Sequence, residues 1–233
     1  MTLKGTIPLA LAAVLGCMHG GAQHARSSTV ADTDVGRLGP EQEGLVNQAR
    51  RTLDGARDAL SRTRLRLQQA QNEEGIAKAD RQAAEADQKV ADAQQKVAND
   101  SRAPEAVEKA RRLQEQARAH KQTADLHVEY AGTLIRQREA EVQAAERQVG
   151  LAQARVEWSK LQALEQARDP AATKYDPGRF QTAVNDAQGK ADEATRNARS
   201  LEAQATAARQ HWEDTRGRLP DSESNRTSTG SGE

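Results

Sequence analysis

The side chains whose chemistry could define a site are Cys17, the pair His120 and His127, Trp158 and Trp212, and the alternating Arg62, Arg64 and Arg66. A lone cysteine excludes an intramolecular disulfide and a cysteine-rich metal site, so its position is what carries information. His120 and His127 lie two turns apart on one helical face, about 10 Å from each other. That is too far to share an ion without a partner helix, so they read as polar seam or surface residues and no metal site is expected. Trp212 closes an alanine-rich seam and reads as a packing cap rather than a ligand platform. Alternate residues on a helix point to different sides, so the three arginines read as solvated surface, not a phosphate cradle. The chain has no P-loop, GxGxxG, HExxH, GxSxG or CxxC pattern. No catalytic residue and no cofactor is therefore expected, and an enzyme is the least favoured class.

Cys17 closes the sharpest motif in the chain. Lys4 supplies a positive charge, residues 7–15 form a compact apolar run, and Gly16-Cys17 end it. The run is too short to span a bilayer, which takes about 20 apolar residues, and it matches a short export signal. Ala22-Gln23-His24-Ala25 has the wrong spacing for an ordinary A-x-A cleavage site. Val14-Leu15-Gly16-Cys17, by contrast, resembles the lipobox of bacterial lipoprotein precursors: an aliphatic residue, a variable one, a small one, then cysteine. The resemblance implies a diacylglycerol on the Cys17 sulfur, cleavage before Cys17 and acylation of the new amino group by palmitate-type chains. Several acyl chains anchor stably, since each buried CH₂ contributes about 0.8 kcal/mol and one chain alone is marginal. Met18 stands where an aspartate marks inner-membrane retention in the enterobacterial pattern, which implies the outer membrane. Residues 1–16 are thus expected to be a signal peptide, and 17–39 a lipidated cysteine with a flexible tether closed by Gly39-Pro40.

The elements that must position everything else are helices. The first is expected from Pro40 to about Ala98, along a seam of Val46, Ala49, Leu53, Ala56, Leu60, Thr63, Leu67 and Ala70. A change of phase between Asn72 and Gly75 then shifts the expected seam to Ile76, Ala79, Ala83, Ala86, Val90, Ala93 and Val97, with Gly75 a candidate bend or break. After a turn over residues 99–104, a second helix is expected to about Arg168. Its seam is Val128, Ile135, Val142, Val149 and Val156, with Ala124, Ala131, Ala145 and Ala152 between them and Arg138 interrupting. A third helix starts with Asp176 as N-cap, Pro177 in first position, and Tyr175 and Phe180 placed as a staple across the cap. Its seam alternates four and three without a miss from Phe180 through Val184, Ala187, Ala191, Ala194, Ala198, Leu201, Ala205 and Ala208 to Trp212. The fold expected is all-α: an elongated antiparallel hairpin or three-helix coiled coil over residues 40–218, followed by a disordered, Ser/Thr/Gly-rich tail over 219–233.

Composition agrees with a rod rather than an enzyme core. Aromatics make up 2% of the 233 residues, charged residues 29%, and mean hydropathy is −0.88. Lys+Arg and Asp+Glu both number 34, so no overall basic field draws nucleic acid or acidic lipid. The helical body loosely resembles alanine-rich lipoproteins of Gram-negative envelopes. That likeness implies a structural or scaffolding role, lipid-anchored in the envelope, in which the rod docks a protein partner or a second copy. The ending Thr229-Gly230-Ser231-Gly232-Glu233 lacks the C-terminal lysine through which murein lipoprotein joins peptidoglycan. Two alternatives are a component of a transport or secretion assembly, since long paired helices resemble periplasmic adaptor hairpins, and a helical holdase chaperone. Adaptor hairpins interrupt β-rich domains, and no strand-like segment flanks this one. Holdase arms need exposed apolar surface and often a basic face, and the balanced charge here gives neither signal.

Overall fold

The computed structural model describes residues 29–219; Val14, Leu15, Gly16 and Cys17 lie outside them, as do 220–233. The described chain is all-α. Its elements are α1 (Asp32–Val35), α2 (Pro40–Ser101), α3 (Pro104–Gln166), a 3₁₀ turn (Pro170–Lys174) and α4 (Pro177–Arg216). Prolines open α2, α3 and α4, where a missing N–H costs nothing and the fixed φ suits the first turn. Asp176 caps α4 as expected, accepting from the Gly178 amide at 3.0 Å, and Tyr175 meets Phe180 edge-on at 6.1 Å. Arg102, at φ 55°, turns the chain between α2 and α3 in the left-handed region that glycine usually fills.

The pairs across α2 and α3 fix an antiparallel register: Arg64 with Glu146, Asp87 with His120, Asp92 with Gln114. At 1.5 Å per residue, the 62-residue α2 and 63-residue α3 make a hairpin about 90 Å long. α4 folds back along α3, joined to it by Arg155–Gln188 near the base and by Trp212 against His127 near its end. α3 is the central helix. It packs extensively along both α2 and α4, which share no comparable contact with each other. With 40 residues, α4 covers about 60 Å, so beyond it the rod is a bare two-helix hairpin.

Two expectations need correcting. α2 runs unbroken through Gly75, and its seam does not change phase. Ala70, Ala77, Ala84, Ala91 and Ala98 are all buried at intervals of seven, continuing the row of Ala49, Ala56 and Thr63. Ile76, Val90 and Val97 instead stand 55%, 56% and 70% exposed. The true seam is hard to see because its alternate positions in this half are polar: Glu74, Arg81, Gln88 and Gln95 are half-buried there. Such residues cost stability and fix register. Gln95 Oε1 has no hydrogen-bond partner, which is the kind of cost meant, and Arg81 Nε has Glu85 Oε1 only at 3.5 Å.

The second correction concerns the tether. The segment expected to be flexible includes residues 29–38, and these are folded onto α3. Val30, Val35 and Leu38 are buried with Val46, Leu161, Leu164 and Phe180 in the largest apolar cluster. A short, irregular stretch has no period to betray it, yet its three apolar side chains bury themselves in the cluster and help to hold it down.

Candidate functional sites along the rod

Three features could carry function, and they lie at the base, the middle and the tip. At the base, the N-terminal segment is clasped by the end of α3 and the turn after it. The Val30 amide donates to Glu157 Oε2 at 2.8 Å, and the Ala31 amide to the Tyr175 hydroxyl at 3.0 Å. Lys160, whose side chain is almost wholly buried, donates to Asp32 and to Glu157, both at 2.9 Å. Burial works against its charge, but the two carboxylates outweigh that and raise its pKa. Asp34 is buried too, and it accepts from the Tyr175 hydroxyl at 2.9 Å, with Lys174 and Arg37 nearby. The Tyr175 hydrogen bond leads in holding the Asp34 carboxyl below the usual carboxylate range, despite its desolvation. Asp32 is lowered chiefly by the Lys160 hydrogen bond and charge. These groups position the chain's exit from the body.

In the middle, all three helices meet at His127. Its Nε2 lies 3.0 Å from Glu73 and its Nδ1 3.5 Å from Asp80, both on α2. Its ring stacks on Trp212 of α4, centroids 4.2 Å apart, and Tyr130 lies 5.6 Å from the same indole. Arg216 sits over the Trp212 ring, 5.7 Å from its centroid. Trp212 is thus a packing residue, and its platform is a histidine and a tyrosine. His120 stays exposed and faces Asp87 at 3.5 Å, so the two histidines look to different carboxylates rather than to one point. Among the described residues, no group of three or more His, Cys, Asp or Glu side chains is arranged to hold a metal ion. Trp158 packs half-buried against the basal cluster. Arg64 pairs with Glu146 at 2.9 Å, while Arg62 and Arg66 are exposed.

The sequence reading gave α3 one seam. A central helix needs two, and the second comprises Thr123, His127, Gln137, Ala140 and Leu151, all buried and off the first row. Three of the five are polar, which hid the pattern. Exposed polar pairs line the helix faces: Glu108 meets Arg112 at 3.3 Å, Glu85 meets Arg81 at 3.5 Å, and Asp192 accepts from Gln188 at 2.8 Å. Arg112 first, then Arg111, lowers the Glu108 pKa.

At the tip, past the end of α4, a shallow apolar groove runs between α2 and α3. Val90, Ala93 and Val97 line one side, and Ala106, Ala110 and Leu113 the other. A neighbouring hollow that shares Val90 and Leu113 with it reaches Leu219, just past α4. Among the described residues no helix is long and apolar enough to cross a membrane. Comparison with protein families, curated proteins and solved structures found no match.

Proposed function

We propose that the chain is a non-enzymatic lipoprotein of a bacterial envelope, anchored through acyl chains on Cys17, whose helical rod is a scaffold that docks a protein partner. The observation that carries the reading is Val14-Leu15-Gly16-Cys17 at the end of a short apolar run, with the only cysteine of the chain in the position that lipidation requires. The fold is compatible with such an anchor. Eleven residues, 18–28, separate Cys17 from the clasped base, and fully extended they reach at most about 40 Å. The anchor would therefore hold the base of the rod near a bilayer, leaving the hairpin tip about 90 Å from it along the helix axis. A scaffold also needs a surface for its partner, and the groove at the tip offers apolar area of the kind that helices cover. The outer membrane is the expected site, on the strength of Met18.

Metabolic labelling with a fatty acid tests the anchor. Label is expected on the wild-type chain and absent from Cys17→Ser, which should leave the membrane fraction. Uptake of label by Cys17→Ser, with retention in the membrane, would overturn the reading.

A further inference from the structure

We propose that the exposed stripe on the distal half of α2 is a self-association surface, on which a second copy of this chain lays the same stripe antiparallel. The proposal rests on the scaffold reading only in treating the rod as a docking element; it is independent of the anchor. Ile76, Ala83 and Val90 recur every seven residues, with Ala79, Ala86 and Ala93 between them in an unbroken three-four series. All six are exposed, although the helix already buries another complete seam against α3. An apolar three-four series calls for a helix across it, because only a helix matches that spacing over several turns.

Among the described residues no helix covers that stripe. α4 stops at Arg216, and apart from Pro220 residues 220–233 contain no aliphatic or aromatic side chain with which to fill it. A second copy does supply it, and the stripe is complementary to itself. Aligned antiparallel, Ile76 faces Ala93 of the other copy, Val90 faces Ala79, and Ala83 faces Ala86. Every layer then joins one large residue to one small one, or two small ones, and none sets two large residues against each other. Packing of that kind fills space without strain. Charge permits the approach as well: residues 76–97 carry four basic and four acidic side chains, so two copies meet without net repulsion. The result joins two hairpins through their α2 helices, each of which keeps its buried seam against its own α3.

Sedimentation of the full chain in a Cys17→Ser background, which removes the anchor from every sample, tests this. A monomer–dimer equilibrium is expected. Ala86→Arg should weaken it by about tenfold or more while circular dichroism shows the same helix content. Truncation after Leu219 should leave it unchanged. For register, an equal mixture of Ala79→Cys and Val90→Cys chains should oxidise mainly to the mixed disulfide, as antiparallel pairing requires. A wild-type monomer at 100 µM or so overturns the proposal, as does a dimer insensitive to Ala86→Arg. Predominance of the two homodisulfides means parallel pairing and also overturns it. Dimers that form only after truncation would show that the chain's own end occupies the surface, which contradicts it equally.

Discussion

At the scale of single residues, the molecule is held where its few unusual side chains meet. His127 was legible as a polar seam or surface residue; that it is the point where α2, α3 and α4 converge was not, because its partners Glu73, Asp80 and Trp212 are 47 to 85 residues away in sequence. Trp212 is the largest side chain at the junction and stacks on both His127 and Tyr130. Trp212→Ala should cost about 2 kcal/mol in a thermal or denaturant melt, and hydrogen exchange should speed up in the last turns of α4 before anywhere else. An unchanged exchange pattern there would mean the stacking does not hold the helix end. The basal clasp makes a prediction in pH. The Asp34 carboxyl is lowered in the fold, so its contribution is present above the unfolded value near pH 4 and is lost as pH falls through the lower folded value. Lys160 is raised, so its contribution persists below its unfolded value near 10 and is lost only above the folded one. Between those limits both are intact. Asp34→Asn should therefore lower Tm at pH 7 and lower it much less at pH 2 to 3; an equal loss at both would show that the charge of Asp34 does not matter.

At the scale of elements, legibility followed regularity. α4 could be read whole, since Asp176-Pro177 marks its start and its seam never breaks from Phe180 to Trp212. The proximal half of α2 was equally plain. Its distal half misled because two seven-residue series run side by side, one buried and interleaved with Glu74, Arg81, Gln88 and Gln95, the other exposed and containing the larger apolar residues. Following hydrophobicity picks the exposed series; following the strict repeat picks the buried one. Adjacent alanines separate the two. Ala84 is fully buried and Ala83 exposed, so Ala84→Leu should overpack the α2–α3 seam and cost about 1–3 kcal/mol. Ala83→Leu should stay within about 0.5 kcal/mol in dilute solution, where only surface is changed. Denaturant melts of the two variants decide it, and the reverse order would restore the phase change near Gly75. The clasped residues 29–38 escaped notice for a different reason: α1 is a single turn, and its hold depends on Glu157, Lys160 and Tyr175, which nothing local announces.

At the scale of the whole molecule, the rod is graded. Its base combines three long helices, the clasped N-terminal segment and the larger of two apolar clusters among the described residues; its tip is two helices joined mainly through alanine. Each alanine buries little area, so the tip gains stability from length and repetition, and it has apolar surface left over. That gradient suits a chain fixed at one end and docked at the other, which is the arrangement a Cys17 anchor would produce. The most direct measurement of that account is mass spectrometry of the N-terminal peptide from protein extracted from a bacterial host with lipoprotein-processing enzymes. The account predicts a peptide that begins at Cys17 and carries the mass of a diacylglycerol with an added acyl chain. A mature protein beginning elsewhere, or beginning at an unmodified Cys17, would contradict it.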